Sequence, residues 1–129
     1  MKVLTLKQPY ASLIANGLKE YEFRSWKTNY RGELYIHAGT SIDKDKISKF
    51  SKYNLEYPKS KIVCKVRLID CIKIDDEFNK KIISMNNDIY GTKPREGYAW
   101  KIELIEKIDS DKIIKGKLGL WNLDIEKDL

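Results

Sequence analysis

Three stretches of the chain alternate between apolar and polar residues, and this alternation limits the fold more than any other feature. The stretches are residues 34–38, 62–68 and 98–104. Because a period of two puts every second side chain on the same face, each stretch predicts a β-strand with one buried and one solvent-facing side. In the two longer stretches the apolar phase shifts, at residues 69–72 and 104–106, as it does where a β-bulge bends a strand. Two long bent strands favour a small closed or nearly closed barrel.

Helical patterns are fewer and shorter than strand patterns. Pro9 suits the first turn of a helix, and Gly17 suits the left-handed residue that ends one. The predicted helices cover residues 9–16, a segment from Ser41 or Asp43 to a point before Pro58, and residues 76–86. The sequence therefore predicts an α+β fold, in which a small, mainly antiparallel β-barrel is flanked by two or three short helices.

The length of 129 residues suits a single domain, 1–129, with a core of ordinary size. The chain has neither an apolar run long enough for a membrane span nor a secretion signal, so we expect a cytoplasmic protein. The sequence does not fix the oligomeric state, for which a monomer is favoured. Cys64 and Cys71 lie on one predicted strand, at a spacing that fits neither a zinc site nor a disulfide scaffold. We expect both to be free thiols.

The formal net charge of +6 marks a basic protein and favours anionic partners. Neutralisation of phosphates by Lys and Arg is the general source of affinity for nucleic acids. A lysine-rich surface is equally typical of proteins without such a partner, so the positions of the arginines are more informative. The planar guanidinium binds phosphates and base edges through parallel hydrogen bonds, and Arg24 and Arg31 both fall within a dense N-terminal block.

Charged residues in this block share the face of one predicted strand. Glu22 and Arg24 are two residues apart and point the same way, with Lys19 close by, while Tyr21 and Phe23 point to the core. Two cations therefore surround one carboxylate, either as a surface ion-pair cluster of little energetic weight or as a ligand site.

Lys7 ends the first predicted strand and precedes the Pro9 helix. Backbone N–H groups at such a point favour an anion, so Lys7 predicts a phosphate or carboxylate pocket. The alternative is an ordinary solvated lysine at a strand end.

The loop that follows the charged strand is basic and aromatic. Trp26 and Tyr30 offer flat faces on which a nucleobase can stack, although Trp26 is equally suited to close one end of a barrel. Arg31 precedes Gly32 in a turn and is expected at the rim of the cleft. The predicted ligand-binding residues are Lys7, Pro9, Ser12, Lys19, Glu22, Arg24, Ser25, Trp26, Lys27, Tyr30 and Arg31.

The remaining aromatic and histidine positions predict structural roles. His37 is the only histidine, and the sequence places no cluster of Cys or carboxylates that would make a metal site with it. A structural hydrogen bond is its expected role, with acid–base catalysis as the alternative. Trp100 and Trp121 fall in apolar strand phases and are expected in the core. No glycine-rich phosphate loop or nucleophile motif is found, so no cofactor is predicted.

Several short motifs occur along the chain. They are Lys7-Gln8-Pro9-Tyr10-Ala11-Ser12, Gly17-x-Lys19-x-x-Glu22-x-Arg24-Ser25-Trp26, Arg31-Gly32 with Ile36-His37-Ala38, Tyr98-Ala99-Trp100 and Gly116-Lys117-x-Gly119-Leu120-Trp121. Together they resemble the ASCH domain of the PUA-like superfamily, with the poorest match between Asp43 and Asn87. The resemblance implies a β-barrel flanked by helices and a cleft bordered by the first helix and the Gly-x-Lys-x-x-Glu-x-Arg strand. It also implies a role in RNA or nucleic-acid recognition.

One small bacterial subgroup, which is similar to the chain more distantly, hydrolyses the amide of acetylated cytidine. Its Lys matches Lys19, but the position of its Thr holds Glu22, and Glu77 is the candidate for its distant Glu. The favoured function is therefore binding of RNA or a nucleotide-like ligand in a basic cleft. One alternative is an enzyme acting on a modified nucleoside or on RNA, with Lys19 as base or nucleophile and Glu22 as proton carrier. The other is a protein-interaction adaptor.

Overall fold

The computed structural model describes residues 1–129, apart from the side chain of Asn87. The described residues form strands β1 (Lys2–Gln8), β2 (Tyr21–Arg24), β3 (Gly32–Ile42), β4 (Lys61–Lys73), β5 (Tyr98–Lys107) and β6 (Leu120–Asn122). They also form helices α1 (Tyr10–Ala15), α2 (Lys44–Lys49), α3 (Asp76–Met85), α4 (Asn87–Tyr90) and α5 (Ile125–Asp128), with a 3₁₀ turn at Ser51–Tyr53. The predicted α+β class is confirmed.

The strands form one mixed sheet in the order β2-β5-β4-β3-β1-β6. Strands β1 and β3 run parallel, and every other neighbouring pair is antiparallel. Among the described residues the edge strands β2 and β6 do not pair with each other, so the sheet is not closed and the predicted barrel is not confirmed. Both edges are short, at four and three residues, which leaves few backbone groups with which to complete a ring.

The open sheet is nevertheless strongly curled. In a flat sheet the four strand spacings between β2 and β1 would amount to roughly 19 Å. Instead, Nη2 of Arg24 on β2 donates a hydrogen bond of 3.0 Å to the backbone oxygen of Thr5 on β1. The curl therefore brings β2 within one side-chain length of β1, and this approach creates the candidate site.

Two bulges accompany this curvature at the predicted phase shifts. The register between β4 and β5 skips Ile69 on β4 and Ile105 on β5. Both side chains are exposed, as expected for residues left out of the ladder. The shift of apolar phase in the sequence thus marked real interruptions of strand pairing.

The prediction that one face of β3 is exposed to solvent is wrong, because the middle of β3 is buried on both faces. Its Leu34 and Ile36 pack with α1 in the main core, whereas Tyr35 belongs to a second cluster on the opposite face. Chain segments near the C-terminus, including Trp121 of β6, cover that face. Trp100 and Trp121 are both buried, as predicted.

The predicted helices are present with slightly shorter bounds. α1 ends at Ala15, α2 continues into the 3₁₀ turn, and α3 begins after Asp75, whose side chain accepts a hydrogen bond from the backbone N–H of Phe78. Residues of α3 and α4 pack around Tyr21 of β2, so the loop after α4 lies beside that strand.

The cysteines and the lengths of the helices bear on two further predictions. Cys64 is buried and Cys71 half-buried, and both are free, as predicted. Burial raises the pKa of the Cys64 thiol to about 12, which leaves it unreactive near neutral pH. Of the helices described, none combines the length and the apolar composition that crossing a membrane requires.

Candidate ligand-binding cavity

A cavity of about 1020 Å³ lies where the curled sheet brings β1 and β2 together. Its volume is at the upper end of the range of sites for small molecules and cofactors. The lining includes Thr5, Lys7, Tyr10, Lys19, Glu22, Phe23, Arg24, His37, Arg95 and residues 113–118. Among the described lining residues six side chains are basic and Glu22 alone is acidic. The cavity is therefore suited to an anionic ligand.

A buried ion pair forms one wall of the cavity. Only 5% of Lys19 is exposed; its Nζ lies 3.6 Å from Oε1 of Glu22 and donates to the backbone oxygen of Tyr21. The same Nζ lies 4.8 Å from the centre of the Phe23 ring. Burial lowers the pKa of Lys19, and the attraction of Glu22 opposes this shift. Lys19 therefore releases its proton more readily than an exposed lysine.

Arg24 carries an unused hydrogen-bond donor into this region. Its Nη2 is bonded to the backbone oxygen of Thr5, but its buried Nε–H has no acceptor among the described residues. A buried donor without a partner costs about 1–3 kcal/mol. Because this nitrogen is closed to contact from solvent, a ligand oxygen can accept from it only after the Arg24 side chain shifts.

A chain of hydrogen bonds through Thr5 fixes the part of the lining that adjoins Arg24. The indole N–H of Trp121 donates to Oγ1 of Thr5 at 3.0 Å, and this hydroxyl lies 3.1 Å from Nδ1 of His37. Nε2 of His37 lies 2.6 Å from the backbone oxygen of Ile114. Since a carbonyl oxygen only accepts, Nε2 carries the ring proton and Nδ1 accepts from the Thr5 hydroxyl. The predicted structural hydrogen bond of His37 is confirmed, and it holds segment 113–118 over the cavity.

The structure brings together four of the predicted ligand-binding residues and leaves others elsewhere. Those that line the cavity are Lys7, Lys19, Glu22 and Arg24. Pro9 and Ser12 lie outside the lining and are buried. The Ser12 hydroxyl donates to the backbone oxygen of Glu56 at 2.8 Å, which gives it a structural role.

The predicted aromatic loop also lies outside the lining. This applies to Ser25, Trp26, Lys27, Tyr30 and Arg31. Trp26 packs edge-on against Trp100 with 4.7 Å between ring centres, while 36% of the residue stays exposed. Arg31 forms an exposed ion pair of 3.7 Å with Asp70, of the kind that contributes little to stability.

Phe23 and Arg95 are among the lining residues that were not predicted. Phe23 was expected in the core, but it is half-buried and its ring faces both Lys19 and Arg95. Arg95 comes from the loop between α4 and β5, far from the N-terminal motifs in sequence. Its residue type was the one sequence signal that could have identified it, because the chain has only four arginines. Glu77, by contrast, is exposed on α3 and absent from the described lining.

Comparison with known proteins identifies the family of the chain. The family model described as the ASCH domain matches residues 4–113. The mouse and human proteins named Activating signal cointegrator 1 are each 30% identical to this chain over 138 aligned positions. Each alignment covers 94% of this chain but 22% of the relative, so the chain spans about a fifth of the length of these relatives. The chain belongs to the ASCH domain family.

Proposed function

We propose that the cavity binds RNA or a nucleotide-like ligand, with phosphate oxygens beside Arg24. One observation carries this proposal: the described lining has six basic side chains, Arg24 among them, and only one acidic side chain, that of Glu22. Hydrogen bonds from guanidinium to phosphate are short and about twice as strong as neutral ones. Binding of RNA is also common in the ASCH family.

Individual residues take different parts in this proposal. Arg24 contacts a phosphate directly, because its guanidinium is already held in place by Thr5. Lys7, Lys115 and Lys117 are exposed, line the cavity and attract the anion from a distance. The opposite charges of Lys19 and Glu22 largely neutralise each other, and the pair forms one wall of the cavity.

The proposal is tested by fluorescence anisotropy with three labelled probes: a short single-stranded RNA, an RNA hairpin and the equivalent DNA strand. We expect binding that weakens steeply as salt rises, because each neutralised phosphate of a single strand contributes about 0.7 to the log–log salt slope. At least one RNA should bind more tightly than DNA. Curves that stay flat for all three probes at low salt would overturn the proposal.

A second candidate function is favoured by the environment of Lys19. Burial lowers the pKa of Lys19 although Glu22 opposes this shift, and a desolvated lysine can act as a base or nucleophile. We propose hydrolysis of a modified nucleoside or of RNA as this alternative, with Glu22 as proton carrier. Acetylated cytidine and RNA are incubated with wild-type protein, Lys19→Ala and Lys7→Ala. Turnover that is lost in K19A and kept in K7A is expected, and no turnover by the wild type would eliminate this candidate.

A further inference from the structure

Arg95 is held rigidly in the cavity by contacts that do not involve a carboxylate. Its backbone N–H donates to Oδ1 of Asn79 at 2.9 Å, and its backbone oxygen accepts from Nδ2 of the same residue at 3.0 Å. Its Nη1 donates to the backbone oxygen of Tyr90 at 2.6 Å. Three hydrogen bonds to α3 and α4 thus fix both the loop and the guanidinium.

The guanidinium of Arg95 also lies over an aromatic ring. Its Cζ is 4.2 Å from the centre of the Phe23 ring on β2. The ring and the hydrogen bond to Tyr90 together set the orientation of the guanidinium plane. Arg95 lines the cavity, and within the described residues it forms no ion pair with an acidic side chain.

A fixed, flat and cationic group of this kind has a specific use in RNA binding. Unstacked bases of single-stranded RNA stack on aromatic rings and on arginine guanidinium planes. Trp26 and Tyr30, the aromatic residues that the sequence offered for stacking, do not line the cavity. Arg95 and Phe23, by contrast, are flat groups in contact with each other that line the same cavity as Arg24.

We propose that Arg95, supported by Phe23, is the stacking platform for one unpaired base of single-stranded RNA. This inference rests on the proposed function and assigns the base-recognising end of the same site. The phosphate next to that base lies at Arg24, and a base already stacked within a duplex cannot reach the platform. Arg95 thus determines preference for unpaired, base-bearing strands, and it does not supply the general electrostatic attraction.

The test separates stacking from charge by changing both the protein and the ligand. Two fluorescein-labelled oligoribonucleotides of equal length and equal phosphate number are used, one with bases and one abasic throughout. The variant Arg95→Lys keeps the positive charge and loses the plane, and Arg31→Lys is the matched control outside the cavity lining. Thermal unfolding of each variant verifies the fold, which the backbone pairing of Arg95 with Asn79 should preserve.

We expect R95K to weaken binding of the base-bearing strand by about 5- to 100-fold, the range found when stacking on one base is lost. Binding of the abasic strand and the salt slope should remain those of the wild type, and R31K should resemble wild type on both strands. Unchanged binding of R95K, or an equal loss on both strands, would overturn the stacking role alone. If wild-type protein binds neither strand, the proposed function fails together with this inference.

Discussion

Replacing Arg24 with Gln removes one positive charge and the buried Nε–H from the cavity while keeping a polar side chain. A hydrogen bond to a charged partner contributes about 1.5–3 kcal/mol, so loss of the phosphate contact should weaken RNA binding by roughly 10- to 100-fold. The log–log salt slope on single-stranded RNA should fall by about 0.7, because one phosphate is no longer neutralised.

Arg67→Gln is the matched control for this change. Arg67 lies on β4, is exposed, pairs with Glu33 at 3.6 Å and is not part of the described cavity lining. R67Q changes the net charge by the same amount as R24Q, so any general electrostatic effect appears equally in both variants. We expect R67Q to bind within about twofold of wild type at moderate salt, where exposed charges are screened.

Anisotropy titrations of the three proteins at several salt concentrations make the comparison. R24Q also loses the hydrogen bond to Thr5, which costs about 1 kcal/mol of folding stability, so titrations are run well below its unfolding temperature. Equal affinities of R24Q and R67Q would refute the assignment of Arg24 to the site, whether both variants bind like wild type or both bind weakly.

Three other expectations concern stability, measured by urea unfolding. Burial lowers the pKa of His37 from its ordinary value of 6.5, so the unfolded chain binds a proton first and stability should fall as pH drops below about 6.5. Lys19→Met should destabilise by about 3–5 kcal/mol, because it leaves Glu22 buried without its cation, and adding Glu22→Gln should recover part of the loss. Gly97→Ala should destabilise by more than about 1 kcal/mol, because Gly97 has a φ of +94° and a Cβ would lie 2.6 Å from the backbone oxygen of Arg24.

Each of these expectations has its own control. His37→Gln should flatten the pH dependence between pH 5 and 7, since no other histidine is present. Stability that stays constant over this window in the wild type would contradict the buried neutral imidazole. A K19M variant as stable as wild type would show that the ion pair is not desolvated. Gly91→Ala, where a Cβ meets nothing within 4 Å at a similarly positive φ of +71°, separates the clash at Gly97 from backbone strain.

Features set by neighbouring residues were predictable from the sequence. The alternation and its phase shifts located β4, β5 and the bulges at Ile69 and Ile105, because strand pairing and pleat act over a few residues. The motif spacing of Lys19, Glu22 and Arg24 correctly placed these three residues around one cavity. In each case the sequence separation is small enough that local geometry decides the arrangement.

Features that depend on distant contacts were not predictable. The second face of β3 is buried partly because the backbone of Ile114 contacts His37. No pattern within the sequence of β3 predicts this contact. Arg95 lines the cavity because its loop follows α3 and α4, which pack against β2. Hydrophobic alternation describes single strands and does not predict such a contact between distant segments. Trp26 looked suited to stacking on a base, but it lies outside the described lining of the cavity.

The central claim, that the cavity between β1 and β2 is the ligand site, is tested most directly by nuclear magnetic resonance. Spectra of ¹⁵N-labelled protein are recorded during titration with a short single-stranded RNA. We expect the largest chemical-shift changes at the Nε–H of Arg24, the imidazole of His37 and the amides of segment 113–118, all at the cavity. Shifts confined to the loop of Trp26 and Arg31 would place the ligand elsewhere and contradict the account.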